Sequence, residues 1–145
     1  MKIGIFDSGL GGLTILKEII KTLPLYDYVY FGDNARVPYG ARSADLIFSF
    51  TVKAVEFLFK KNCQLVILAC NTASATALRR IQQDYLPKKY PNRRVLGVIK
   101  PAVEALDQTN SHRVGVIGTY LKKTSQDRKK IDKKPSKRVF CFRFK

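Results

Sequence analysis

Five short apolar runs alternate with segments of helical periodicity, and this alternation limits what the chain can fold into more than any other feature. Lys2–Phe6, Tyr28–Phe31, Leu65–Ala69, Arg94–Val98 and Arg113–Ile117 have strand length. Between them the spacing predicts helices near Leu13–Thr22, over Ala44–Lys61, over Ser74–Tyr85 and from Pro101 onward. Ser43 is placed to cap the second helix, whose apolar side carries Leu46, Ile47, Phe50, Val55 and Leu58. Pro87 is expected to stop the third. Leu65–Ala69 is apolar throughout and reads as a strand buried on both faces. Strands alternating with helices imply an α/β domain: a doubly wound parallel sheet with helices on both faces.

Composition narrows the setting. At 46% hydrophobic residues the chain can bury a core, which excludes a wholly disordered or collagen-like polymer. No apolar run approaches the roughly 18 residues of a membrane span. The apolar start ends at Asp7, too soon for a signal peptide. Cys63, Cys70 and Cys141 are odd in number and form no CxxC pair, so neither a disulfide framework nor a zinc site is indicated. The expected setting is the reducing cytoplasm. Charge is uneven: the formal total is +16, and residues 120–145 alone hold 11 basic and 2 acidic side chains. All nine glycines precede Thr119. The sequence therefore divides into an α/β unit at 1–119 and a basic tail at 120–145.

Ligands of open parallel sheets bind beyond the carboxyl ends of the strands, and there the unusual residues gather. Asp7 and Ser8 follow the first strand, Gly32-Asp33-Asn34 the second, Cys70-Asn71-Thr72 the third and Gly118-Thr119 the fifth. Such residues also simply build tight turns, a reading that suits any one loop better than all four together. Cys70 stands out because it sits where an apolar strand gives way to Asn-Thr-Ala-Ser and a helix. A helix N-terminus favours thiolate over thiol. A nearby Asp7 would oppose that, or act as a proton relay. A thiol beside an acid suits proton transfer. Cys63, on a helix-to-strand connection, reads as an inert core residue, and His112, in a basic turn, as a surface residue. Gly9-Leu10-Gly11-Gly12 lacks both the dinucleotide and the P-loop pattern, and Asp7-Ser8-Gly9 is no nucleophile elbow.

Four separated motifs then stand in the order and spacing found in bacterial glutamate racemases, which residues 1–119 resemble. They are Phe6-Asp7-Ser8-Gly9-Leu10-Gly11-Gly12-Leu13-Thr14, Asp33-Asn34-Ala35-Arg36-Val37-Pro38-Tyr39-Gly40, Ala69-Cys70-Asn71-Thr72-Ala73-Ser74 and Val114-Gly115-Val116-Ile117-Gly118-Thr119. The resemblance implies cofactor-independent interconversion of L- and D-glutamate, the D-isomer feeding peptidoglycan synthesis, between two similar α/β domains. It implies two cysteines that exchange the roles of base and acid. Cys70 matches the first, Asp7 the acid that tunes it, and Ser8 a neighbouring substrate contact. Pro38, Tyr39 and Gly40 match a loop whose backbone approaches the substrate. Asn71, Thr72 and Thr119 match residues that hold its amino and carboxylate groups.

After Thr119 the sequence departs from that pattern. The family continues into a second domain with a Cys-Thr-His motif, whereas Cys141 is followed by neither Thr nor His. The composition break, the end of the glycines and the missing motif fit a frameshift or premature stop. A truncated enzyme, inactive by itself as a racemase, is the expectation. A solvated basic tail is compatible with that account. The rival is a non-catalytic binding or regulatory module whose clustered Lys and Arg bind nucleic acid without sequence preference. Glutamate is the expected small-molecule partner, no membrane is expected, and a homo-oligomer is left open.

Overall fold

The computed structural model describes residues 1–108, 113–118 and 138–143. Strands β1 (Lys2–Asp7), β2 (Asp27–Gly32), β3 (Leu65–Leu68) and β4 (Arg94–Gly97) form one parallel sheet in the order β2-β1-β3-β4. Helix α1 (Gly12–Thr22) leads from β1 to β2, and α2 (Ala44–Lys60) from β2 to β3. A broken helical run, α3 (Asn71–Thr76), α4 (Leu78–Arg80) and α5 (Leu86–Lys89), leads on to β4. Helix α6 (Ile99–Asp107) follows. The chain winds outward from β1 to β2, then crosses back past β1 to build β3 and β4. This is the doubly wound arrangement expected from the alternation.

Strand alternation divides the core between the two sheet faces. Ile3 and Ile5 are buried on one face, packed by Ile15, Leu16 and Ile19 of α1. Phe6, Val66, Leu68 and Val95 are buried on the other, against Ile47, Val55 and Leu58 of α2 and Ile81 and Leu86 of the broken run. The expected Ser43 cap forms, its Oγ accepting the Leu46 N–H at 3.4 Å.

Three local expectations are corrected. The helical run begins at Asn71 and continues past Pro87 to Lys89. A π-helical stretch, Ile81–Tyr85, intervenes, and Pro87 falls in the first turn of α5, where its missing N–H is not needed. Leu46 is 37% exposed. The buried stripe of α2 runs through Ile47, Thr51, Ala54, Val55 and Leu58, and one residue earlier is turned about 100° away from it. The fifth predicted strand, β5 (Arg113–Gly118), pairs in parallel with β6 (Arg138–Arg143) and, among the described residues, not with β4. Arg-Val-Phe-Cys-Phe-Arg is rich in residues that favour extended backbone, a signal that the charge of the tail obscures. No helix among the described residues is long and apolar enough to cross a membrane.

A polar tie joins the C-terminal half of α2 to the end of the broken run. Glu56 accepts hydrogen bonds from Lys89 Nζ and Tyr85 Oη. Those two donors, Lys89 first, hold its carboxyl below the ordinary carboxylate range. A carboxyl depressed on folding contributes stability above its unfolded value of about 4.3, and that contribution is lost as pH falls through the folded value. Urea denaturation between pH 3 and pH 6 should therefore show a smaller acid loss in Glu56→Gln than in the parent chain. An unchanged acid limb would exclude Glu56 as a contributor. In the same assay Leu58→Ala should cost about 2–5 kcal/mol at every pH, because it leaves a cavity under β1.

Candidate active site

The reversal of winding places the carboxyl ends of β1 and β3 side by side. The Phe6 carbonyl accepts the N–H groups of Ala69 at 2.8 Å and Cys70 at 3.3 Å, so the chain leaving β3 is tied to the end of β1. Helices then depart on opposite faces, and such a switch point is where an open α/β sheet forms its ligand crevice. Asp7 is 7% exposed, and its Oδ2 accepts the N–H of Gly12, the first residue of α1, at 2.9 Å. The carboxylate thus lies against the positive end of the helix dipole. Gly12 is required sterically: a Cβ there would fall 2.8 Å from Asp7 Cβ and 2.9 Å from Ala69 Cβ.

Cys70 is 5% exposed and serves as the N-cap of α3, its Sγ accepting the Ala73 N–H at 3.5 Å. Ser8 Oγ lies 3.3 Å from the same sulfur. A hydroxyl and an amide therefore converge on one thiol at the rim of the sheet. Ser74 Oγ donates to the Leu68 carbonyl at 2.8 Å, fastening the first turn of α3 back onto β3.

The loop after β2 closes the crevice from the side. Asp33 is 3% exposed, and its N–H donates to the Asp7 carbonyl at 3.0 Å. Its carboxylate accepts from Arg36 Nε at 2.8–2.9 Å and from Tyr39 Oη. Burial, reinforced by that carboxylate, pushes the Tyr39 hydroxyl upward. Arg36 stacks over Phe50 of α2, its guanidinium carbon 4.4 Å from the ring centroid, and Tyr39 packs against Phe6 and Phe50. The backbone at Pro38, Tyr39 and Gly40 is thereby anchored by a buried carboxylate that holds a half-buried guanidinium and a buried phenol.

No family model matches the chain. Over 108 residues, 74% of its length, it is 55% identical to the glutamate racemase of Cereibacter sphaeroides, of which it covers 39%. Against the glutamate racemase of Geobacter metallireducens it is 52% identical over 119 residues, 81% of this chain and 42% of that one. The solved glutamate racemase of Aquifex pyrophilus superposes with a TM-score of 0.85 at 43% identity, covering 99% of this chain and 55% of that one. A glutamate racemase of Francisella tularensis solved with D-glutamate gives a TM-score of 0.80 at 38% identity, covering 98% of this chain and 52% of that one. The chain is a homologue of glutamate racemases. It spans less than half the length of these curated relatives.

Most residues matched to racemase motifs meet at the crevice. Asp7, Ser8, Cys70, Thr72 and Tyr39 are buried or half-buried there, Gly40 is half-buried, and Pro38 and Asn71 are exposed. Thr119 lies outside the described residues, as does His112. The sequence reading passed over Tyr30, which sits on β2 opposite Ile5 and donates from its hydroxyl to the Gly9 carbonyl at 2.8 Å. The register of β1 and β2, which sequence does not show, puts Tyr30 on one sheet face with Ile5 and Asp7. Asp33 follows β2 at the rim, and its hold on Arg36 and Tyr39 is set by tertiary packing.

Cys63 and Cys70 are both buried, and their surroundings differ. Cys63 is fully buried, and burial pushes its thiol up despite nearby Lys2 and Arg93. Cys70 lies at the crevice with a hydroxyl beside it. Iodoacetamide near neutral pH should therefore alkylate Cys70 faster than Cys63, and Cys70→Ser should remove that faster phase. Equal rates, followed by peptide mass spectrometry, would reduce Cys70 to a packing residue.

Proposed function

We propose that this chain forms one half of a glutamate racemase active site, the half that carries the first of two proton-transferring thiols. The observation that carries the reading is the Ser8 hydroxyl 3.3 Å from the Cys70 sulfur, on the residue that follows the buried Asp7. Inverting an α-carbon requires a base on one face and an acid on the other. Cys70, as thiolate, takes the α-proton: the S–H bond forms as the C–H bond breaks, and the electron pair passes onto the α-carbon and its carboxylate. In the opposite direction the Cys70 thiol returns the proton to that face. Asp7 tunes or relays this proton, and Ser8 contacts the substrate and the sulfur.

The α-proton of an amino acid is far too weakly acidic for a thiolate unaided, so stabilisation of the carbanion supplies much of the catalysis. On this half the donors are Asn71, Thr72, Thr119 and main-chain N–H groups, which hold the glutamate carboxylate and amino groups. The anchored backbone at Pro38, Tyr39 and Gly40 walls the substrate. Both proton carriers are side chains, so the reaction needs no cofactor. Free thiols fit the reducing cytoplasm, where D-glutamate is drawn into peptidoglycan precursors. The acid for the opposite face belongs to the part of the family that this chain does not span.

The 145 residues by themselves should show no measurable conversion of L- to D-glutamate. Losing one acid costs more than the usual ~10²–10⁴-fold, because the opposing wall that excludes water is lost with it. In D₂O the chain should at most exchange the α-proton of one enantiomer slowly with retention, since a thiol on one face returns a deuteron only to that face. NMR of the α-position together with chiral chromatography distinguishes these outcomes. Rapid racemisation abolished by Cys70→Ala would overturn the one-face reading and require a second base within this chain or a second copy of it.

A further inference from the structure

We propose that Tyr30 is a positioning residue for Cys70, holding the Ser8–Gly9 turn so that the Ser8 hydroxyl stays on the sulfur. The inference deepens the reading of Cys70 as a proton carrier and rests on it. Tyr30 lies on β2, outside the motifs matched to the racemases. Its Oη donates to the Gly9 carbonyl at 2.8 Å. Two residues further along the same strand, Gly32 presses on that oxygen from another side: a Cβ at Gly32 would fall 2.7 Å from it. One carbonyl is thus clamped between a hydroxyl and a bare backbone of a single rigid strand. Gly9 follows Ser8 directly, so holding the far end of this residue restricts the swing of the turn that carries Ser8, whose Oγ lies 3.3 Å from Cys70 Sγ.

The clamp suits its place. Ser8 and Gly9 leave β1 without helical or strand hydrogen bonding of their own, and an untethered bend would let a short side chain swing away from the thiol. The Tyr30 ring packs into the cluster formed by Ile3, Ile5 and Ala69 beneath α1, which fixes where its hydroxyl can reach. Burial, and then Asp7, push that hydroxyl up to about 12, so it remains a donor throughout the neutral range. The titratable groups around Cys70 are Asp7 from β1, Tyr30 from β2 and Tyr39 from the following loop, with Asp33 and Arg36 behind Tyr39.

The test is the pH profile of Cys70 alkylation by iodoacetamide in the full chain, in a double-mutant cycle of Tyr30→Phe and Ser8→Ala. Tyr30→Phe keeps the packed ring and removes only the hydroxyl; far-ultraviolet circular dichroism and the urea midpoint report whether the fold is retained. The expected result is an upward displacement of the profile in Tyr30→Phe, with alkylation at neutral pH slowed roughly threefold to tenfold, the worth of about one hydrogen bond. Ser8→Ala should give the same displacement, and the double variant no more than either alone. A Tyr30→Phe profile that superposes on the parent overturns the proposal. Additive displacements also overturn it, because Tyr30 would then act through Asp7 rather than Ser8. A parent chain in which Cys70 reacts as slowly as Cys63 overturns the underlying reading of the thiol, and the proposal with it. Loss of fold in Tyr30→Phe would likewise assign Tyr30 a structural role and overturn it.

Discussion

Two hydrogen bonds to the Phe6 carbonyl, from Ala69 and Cys70, hold the exit of β3 against the exit of β1, and the geometry of the candidate site follows from them. With those strands adjacent, Asp7 and Cys70 emerge at one rim while their helices leave on opposite faces. The packing allows little slack. Gly12 brings the first turn of α1 onto Asp7 and Ala69, so the carboxylate, the helix end and the strand exit form one contact. A shift of β3 relative to β1 would separate the thiol from Ser8.

The side loop shows how a buried charge stiffens irregular backbone. Asp33 is fastened to β1 through its own N–H and holds Arg36 and Tyr39 with its carboxylate. Both partners are pinned in turn by aromatic contacts with Phe50 of α2. The segment from Asn34 to Ala41 contains only two short 3-10 turns, yet it is cross-braced to both the sheet and a helix. Its shape is set before any ligand arrives, which reduces the ordering that binding must otherwise accomplish.

What could be read in the sequence was local. Apolar runs and helical spacing revealed the strand–helix alternation, Ser43 announced its cap, and strand ends alone pointed to the rim where Ser8 meets Cys70. Strand order was not legible, because it depends on which face each crossover takes. Pro87 misled because a π-helical stretch moved it into the first turn of a new segment. Leu46 misled because an apolar residue at the margin of a helical stripe looks like a member of it. Tyr30 was hidden inside an apolar strand: its ring belongs to the core and its hydroxyl to the site, and sequence pattern registers only the first.

Cys70 performs a task that sulfur does badly. It caps α3, yet a thiol accepts an amide weakly at 3.5 Å, where a serine hydroxyl would bind the same N–H more tightly. A chain shaped only by folding would gain from oxygen at this position. The fold thus tolerates an inferior helix end at the buried exit of β3, beside the Ser8 hydroxyl. The sulfur proposed as the proton carrier also defines where the helix starts. Chemistry and architecture share a single side chain here, so neither can be altered without the other registering the change.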